Sequence, residues 1–275
     1  MKKTRLFIIL VLLLGFLAAC AQTGAVTSSS STAPVLARIE QRGELVVGTA
    51  ASMPPLNMTT KDGRIIGLDI DLANYIADSL GVRLRKEKML FKDLLPALEA
   101  GKVDMVISGL TITAERNMKV AFVGPYYISG KGVLTSVATL ASITEPDDLD
   151  KKEFKITALA GSTSERFVKI QMPKAVYKPA NDYDAGVQMV IDGTVDAMIA
   201  DHPICVISVA RYPQHDLFTI VSPFTYEPIG IALPAGDPLF VNLVDNLLQS
   251  VEGSGALDRA RRYWFEEGEW FDQLP

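Results

Sequence analysis

From Glu44 onward, short apolar runs alternate with stretches whose apolar residues recur every three or four positions. Leu45-Val46-Val47-Gly48 reads as a buried strand running into the loop Thr49-Ala50-Ala51-Ser52-Met53-Pro54-Pro55. From Asp69 to Leu80 the residues Ile70, Ala73, Ile76, Ala77 and Leu80 make one helical face, and Gly81 is the stop signal. Val82 to Lys88 alternates as a strand, Phe91 to Ala100 is a second amphipathic helix closed by Gly101, and Val103 to Ile107 is a third strand. Strand, helix, strand, helix, strand predicts right-handed crossovers in a mostly parallel sheet, an α/β fold.

The second half repeats the plan. Phe154 to Ala158 is a strand followed by the Gly161-Ser162-Thr163 loop and a helix over Ser164 to Gln171. Ala175-Val176-Tyr177 is a strand, Asp184 to Asp192 a helix stopped by Gly193, and Val195 to Ile199 a strand. Gly101-Lys102-Val103-Asp104-Met105-Val106-Ile107 aligns with Gly193-Thr194-Val195-Asp196-Ala197-Met198-Ile199, which sets Gly109 opposite Asp201. Two lobes of like topology follow from this alignment, or else two βαβ units similar by chance. Between them run two extended, glycine-punctuated stretches, Pro125–Thr135 and Pro223–Leu233. These are either ordinary sheet strands or a two-strand hinge in which Gly132 and Gly230 absorb rotation. Val241 to Val251 and Leu257 to Trp264 read as helices covering the first lobe.

The N-terminus changes the compartment. Lys2, Lys3 and Arg5 precede an apolar core, Leu6 to Leu14, too short to span a bilayer, and small residues lead to Cys20. This is a secretory signal. Leu17-Ala18-Ala19-Cys20 resembles a bacterial lipobox, which implies cleavage before Cys20 and a lipid (palmitate) on it; the alternative is an ordinary cut near Ala21. The Ser/Thr-rich stretch that follows reads as a flexible tether, ahead of a short helix over Val35 to Gln41. The expected organisation is a signal peptide over 1–19, a lipidated tether over 20–34, a discontinuous first lobe over 35–130 and 227–275, and a second lobe over 131–226. Localisation is then extracytoplasmic, with lipid on Cys20 as the membrane partner. With Cys20 lipidated, Cys205 has no partner for a disulfide and reads as a small core residue.

Loss of residues 1–19 leaves 24 basic residues against 32 acidic ones, a net of −8, which argues against nucleic acid as a partner. No further apolar run is long enough to cross a membrane. No metal-spaced Cys/His cluster, H-E-x-x-H or G-x-S-x-G occurs, so neither a metal nor a cofactor is expected.

The chemistry gathers at strand ends. Ser108-Gly109-Leu110-Thr111-Ile112-Thr113-Ala114-Glu115-Arg116 puts hydroxyls and a glycine after a strand, with Thr113 as a helix N-cap and Arg116 as a planar fork that matches a carboxylate. The bland alternative is a capped turn with an exposed arginine. Ser162 and Thr163 suit the same anion at a helix N-terminus. Asp201, with Gly109 C=O and the Thr111 hydroxyl, suits an ammonium. Met53 and Phe91 are candidate walls for the ligand's stem, with a plain core role the alternative for Phe91. Together the groups fit an α-amino acid.

At these residues the chain resembles the extracellular solute-binding proteins, family 3, of polar amino acid ABC importers. The resemblance runs from about Glu44 to Phe265 and rests on Gly67-Leu68-Asp69-Ile70-Asp71-Leu72-Ala73, Leu95-Pro96-Ala97-Leu98, the Ser108–Arg116 stretch, Pro125-Tyr126-Tyr127 and Glu227-Pro228-Ile229-Gly230-Ile231-Ala232. It implies a type II periplasmic-binding-protein-like fold, two lobes on a two-strand hinge that close around one amino acid. It implies that Arg116 and Thr163 hold the carboxylate and that Asp201, Gly109 and Thr111 hold the amine. It implies a monomer working with ABC permease subunits. Where the family often has an acid and a pocket aromatic, this chain has Ala50 and Met53, which argues against a strongly cationic side chain. Relatives of this fold include cyclohexadienyl dehydratases, so a cleft enzyme is one alternative, with Glu165 the nearest candidate acid; a ligand sensor for a membrane receptor is the other.

Overall fold

The computed structural model describes residues 33–142, 146–220 and 222–275; the expected signal peptide, Cys20 and nearly all of the expected tether lie outside the described residues. The chain from Ala33 to Pro275 is one compact body. Helix α1 (Pro34–Arg42) leads into β1 (Glu44–Thr49). The loop after β1 folds on itself as a small antiparallel sheet of β2 (Ser52–Met53), β3 (Asn57–Thr59) and β4 (Ile65–Ile66). Strands β5 (Arg83–Lys88) and β6 (Met105–Thr111) flank β1 in parallel. Strand β13 (Glu227–Leu233) inserts antiparallel between β6 and β7 (Ala121–Ser129), giving the order β5-β1-β6-β13-β7. The second sheet has β9 (Lys155–Leu159) between β10 (Val176–Ala180) and β11 (Ala197–Asp201), all parallel. Strand β8 (Lys131–Ser136) pairs antiparallel with β11 and with β12 (Leu217–Thr219), giving β10-β9-β11-β8-β12. The two orders correspond strand for strand. This is a two-lobed α/β molecule in which the parallel strands carry the βαβ units and the antiparallel strands carry the crossings.

The repeated Val-Asp has an atomic reason. In the first lobe Asp104 is buried and accepts from Val46 N–H at 2.8 Å and from Arg38 Nη2 at 2.7 Å, with Arg42 as a further donor. In the second, Asp196 accepts from Lys155 N–H at 2.7 Å. Each carboxylate stitches the start of one central strand to its neighbour. The buried charge of Asp104 is tolerated because two guanidiniums and a backbone donor meet it.

Most elements fall within a residue or two of the pattern. Helix α2 is Leu68–Ser79, and the expected helix at Phe91 is a 3-10 turn, Phe91–Asp93, followed by α3 (Leu94–Glu99). Strand β6 runs through Ser108-Gly109-Leu110 to Thr111, farther than the apolar run to Ile107, because β13 pairs with it there (Ile229 with Thr111). After β6 and β8 come two four-residue helices, α4 (Ala114–Asn117) and α5 (Val137–Leu140). In the second lobe α6 (Thr163–Gln171), α7 (Tyr183–Ile191) and α8 (His202–Arg211) follow β9, β10 and β11 in turn. Helices α9 (Pro238–Gly253) and α10 (Ala256–Arg262) bury Phe240, Val244, Leu248, Val251 and Leu257 in the core of the first lobe. The crossing between lobes lies at Gly130, where an added Cβ would stand 2.2 Å from Thr225 O. An added Cβ would also be tight at Gly132, 3.2 Å from His202 Cα, and at Gly230, 2.7 Å from Ile112 Cδ1. Among the described residues no helix is long and apolar enough to cross a membrane.

Candidate functional site

The ends of β6 and β11 and the two crossing strands meet in the cleft. After β6 the chain turns into α4, capped by Thr113, whose Oγ1 accepts from Arg116 N–H at 3.2 Å. The cap fixes the start of α4 and so aims Arg116 back across the cleft. Its Nη1 donates to Thr111 O at 2.9 Å and its Nη2 to Gly161 O, in the other lobe, at 3.2 Å. The guanidinium carbon lies 5.8 Å from the centre of the Phe91 ring, within cation–π range. Burial lowers the Arg116 pKa, while Asp201 and Glu227 act in the opposite direction.

The second lobe brings Thr163 to the same place at the start of α6. The Thr163 and Thr111 hydroxyls lie 3.4 Å apart, and the rim is closed by Arg166 to Glu115 at 2.6 Å. Asp201 ends β11 and is 4 % exposed. Its Oδ2 accepts from Tyr183 OH at 2.9 Å, and its Oδ1 from Ser129 Oγ at 3.3 Å and Lys131 Nζ at 3.4 Å. Burial, and then the Asp201 charge, push the Tyr183 phenol well above its ordinary value, so it stays a donor.

Lys131 is the unexpected member. It begins β8, is fully buried, and donates to Thr163 Oγ1 at 2.7 Å. Its Nζ is 3.4 Å from a carboxylate oxygen of each of Asp201 and Glu227. Glu227 starts β13 on the return crossing, and its Oε2 accepts from Thr163 Oγ1 at 3.1 Å. Arg116, Lys131, Asp201 and Glu227 thus surround the two threonine hydroxyls, two cations with two anions.

The structure therefore brings together Thr111, Arg116, Thr163 and Asp201, with Phe91 against the arginine. Gly109 is held nearby at φ +60°, where an added Cβ would meet Met53 Sδ at 2.2 Å; Met53 fills the space that glycine leaves. Two of the expected residues have their hydroxyls engaged elsewhere. Ser108 is fully buried and accepts from Ala50 N–H at 2.8 Å. Ser162 caps α6, accepting from Glu165 N–H at 3.1 Å and donating to Leu159 O at 2.6 Å. Sequence reasoning missed Lys131, Glu227, Tyr183 and Ser129. The available signal was a lysine flanked by glycines in an otherwise apolar crossing strand.

Beneath the site, Asp69 is fully buried, with Oδ2 accepting from Gly109 N–H at 3.0 Å and Asn57 Nδ2 at 2.8 Å, and Oδ1 from Tyr126 OH at 2.7 Å. Burial raises its pKa to about 7 against the pull of these three donors. Glu165, the candidate acid, is held below the ordinary range by Lys169 and the Gly161 N–H, which outweigh its partial burial. His202 opens α8, and its Nε2 lies 3.0 Å from Ile220 O. A cavity of about 410 Å³ lies beside Arg116, Gly161 and Thr163, and one of about 520 Å³ lies beside Ala50, Phe91 and Asp182. Among the described residues no group of side chains has the makings of a metal site.

Two like lobes on a double crossing, with a charged, hydroxyl-lined cleft between them, define a two-lobed solute-binding protein of the type II periplasmic kind. The chain belongs to the bacterial extracellular solute-binding proteins, family 3, whose family model matches residues 45–267. It is 25% identical to the L-cystine-binding protein TcyJ of Escherichia coli strain K12, over 92% of this chain and 94% of that one. It is 27% identical to the cyclohexadienyl dehydratase of Pseudomonas aeruginosa, over 84% and 86%. Among solved structures, the binding component of an ABC transporter from Wolinella succinogenes DSM 1740, complexed with lysine, matches with a TM-score of 0.78 and 34% identity, over 84% of this chain and 99% of that one.

Proposed function

We propose that this protein is the substrate-binding component of an amino acid ABC importer, with lobes at 35–130 plus 227–275 and at 131–226 that close around a single amino acid. The observation that carries the reading is Arg116. Two of its five N–H donors bridge carbonyls of opposite lobes, Thr111 O and Gly161 O, which supports a ligand carboxylate taken between the lobes by the remaining donors. Thr111 and Thr163 flank that position, and Asp201 faces it as the acceptor for an ammonium. The solute partners are amino acids, and the protein partners are ABC permease subunits. The N-terminal pattern supports a signal peptide over 1–19, lipid on Cys20 and a monomeric receptor tethered at a bacterial membrane. Glu165 is engaged by the Gly161 N–H and by Lys169 Nζ, each at 2.6 Å, which supports a carrier over a dehydratase.

The test is calorimetric titration of the purified protein and of R116A with the L-amino acids, alongside prephenate and arogenate with product detection. Binding of one or a few amino acids, weakened by at least about a hundredfold in R116A, is expected, because the carboxylate then meets a buried site without its bidentate partner. R116A binding within threefold of the parent, or turnover of prephenate or arogenate, refutes the reading.

A further inference from the structure

The Lys131–Glu227 pair is built into the cleft wall at the point where the chain crosses between lobes. Lys131 N–H donates to Thr225 Oγ1 at 2.8 Å, and Thr225 Oγ1 lies 3.4 Å from Glu227 Oε1, so the two crossing strands are bolted to each other around the lysine side chain. The Lys131 ammonium then reaches past Thr163, 2.7 Å away, to the same Asp201 oxygen that Ser129 serves. Side-chain exposure is 1% for Lys131, 6% for Asp201 and 12% for Glu227. Charges this far from water interact strongly with whatever enters beside them.

Resting on the amino acid reading above, we infer that Lys131 is a specificity-determining residue, a built-in cation that makes the cleft charge-neutral and excludes amino acids with cationic side chains. Arg116 and Lys131 balance Asp201 and Glu227. A ligand with one carboxylate and one ammonium leaves that balance unchanged. A lysine or arginine ligand adds a second positive charge that the cluster does not offset, since Glu227 faces Lys131 and Asp201, already shared with Lys131, is the acceptor for the ligand's α-ammonium. In the cavity beside Phe91 the side-chain charges already balance: Arg211 pairs with Asp184 at 2.7 Å, and Lys88 offsets Asp182, whose Oδ1 accepts from Ala185 N–H at 2.8 Å. Ala50 and Met53, on the loop after β1, bring no acid. The related Wolinella succinogenes protein is complexed with lysine, so the family fold by itself imposes no such exclusion.

The experiment is competition calorimetry on the full-length protein in detergent, with L-glutamine, L-methionine and L-cystine as neutral probes and L-lysine and L-arginine as cationic ones. The best neutral probe is expected to bind at least about tenfold tighter than either cationic probe, the effect of one unpaired charge several ångströms from another in a partly buried site. In K131Q, where the amide still donates to Thr163, that ratio is expected to move toward the cationic probes by at least about tenfold; in E227Q it moves the opposite way. Wild-type protein that binds lysine or arginine as tightly as the best neutral probe overturns the inference while leaving the amino acid reading intact. So does a folded K131Q whose ratio stays within threefold of the parent. Binding of no amino acid at all overturns the amino acid reading, and the inference with it. The wild-type ranking decides the question even if K131Q fails to fold.

Discussion

Asp69 lies out of reach of solvent beneath Gly109, and replacing it by asparagine isolates the energy of one buried charge. With the folded pKa raised to about 7 and an unfolded value near 3.9, the native state holds a proton that the unfolded chain has released between those two values. Below about pH 4 both states are protonated and Asp69 carries no electrostatic penalty. As pH rises from about 4 to 7, stability falls; above about 7 the penalty is constant. The gap between the unfolded and folded values makes that penalty about 4 kcal/mol. An asparagine mimics the protonated acid: its Oδ1 can accept from Asn57 and Gly109 N–H, and its Nδ2 faces Tyr126 OH. The expected outcome is that D69N and parent differ by a constant at and below pH 4, and that D69N gains about 4 kcal/mol relative to the parent by pH 8. Urea unfolding followed by tryptophan fluorescence (Trp264 and Trp270 are both buried) measures this at several pH values. Parallel stability curves for the two proteins from pH 4 to 8 would refute the argument, because they would mean that the three donors hold the carboxylate ionised in spite of burial.

Two further outcomes follow from the same packing. G109A places a Cβ 2.2 Å from Met53 Sδ at φ +60°, and is expected to lower stability by roughly 2–3 kcal/mol, with G109A/M53A recovering part of the loss in thermal denaturation. Cys205 is fully buried and its thiol is pushed up to about 12 by burial, so a disulfide reagent at pH 8 should leave it unmodified in the native protein and label it once urea unfolds the chain; rapid labelling of folded protein would contradict this placement.

The fold was readable because it repeats. Val103-Asp104 and Val195-Asp196 mark the same strand start in both lobes, and the structure shows each aspartate bonded to the neighbouring strand. Arg116, Thr163 and Asp201 were readable for a related reason: each follows directly from a strand end or helix start that local patterning locates. Lys131 and Glu227 were not. Each sits on a crossing strand, where the periodic signal says only that positions alternate, and their importance comes from a partner 96 residues away in the chain. The length of β6 was hidden for the same reason, since Ser108 to Thr111 become strand only when β13 arrives from the far end of the sequence. For Ser108 and Ser162, patterning cannot tell a hydroxyl offered to a ligand from one bonded to the backbone, and in this structure both hydroxyls bond backbone groups.

The strand order β5-β1-β6-β13-β7 also sets a timetable. All strands of the second sheet lie between residues 131 and 219, so a chain emerging N-terminus first can finish that sheet as it appears. The first sheet, begun earlier, must wait for residues 227–233 to slot between β6 and β7, and for 238–253 to cover the result. Until then both edges of that slot stand open, and an open edge recruits other chains. The older half of the molecule is thus the last to be completed, and the interval between its first strand and its last is where this protein is most exposed to misassembly.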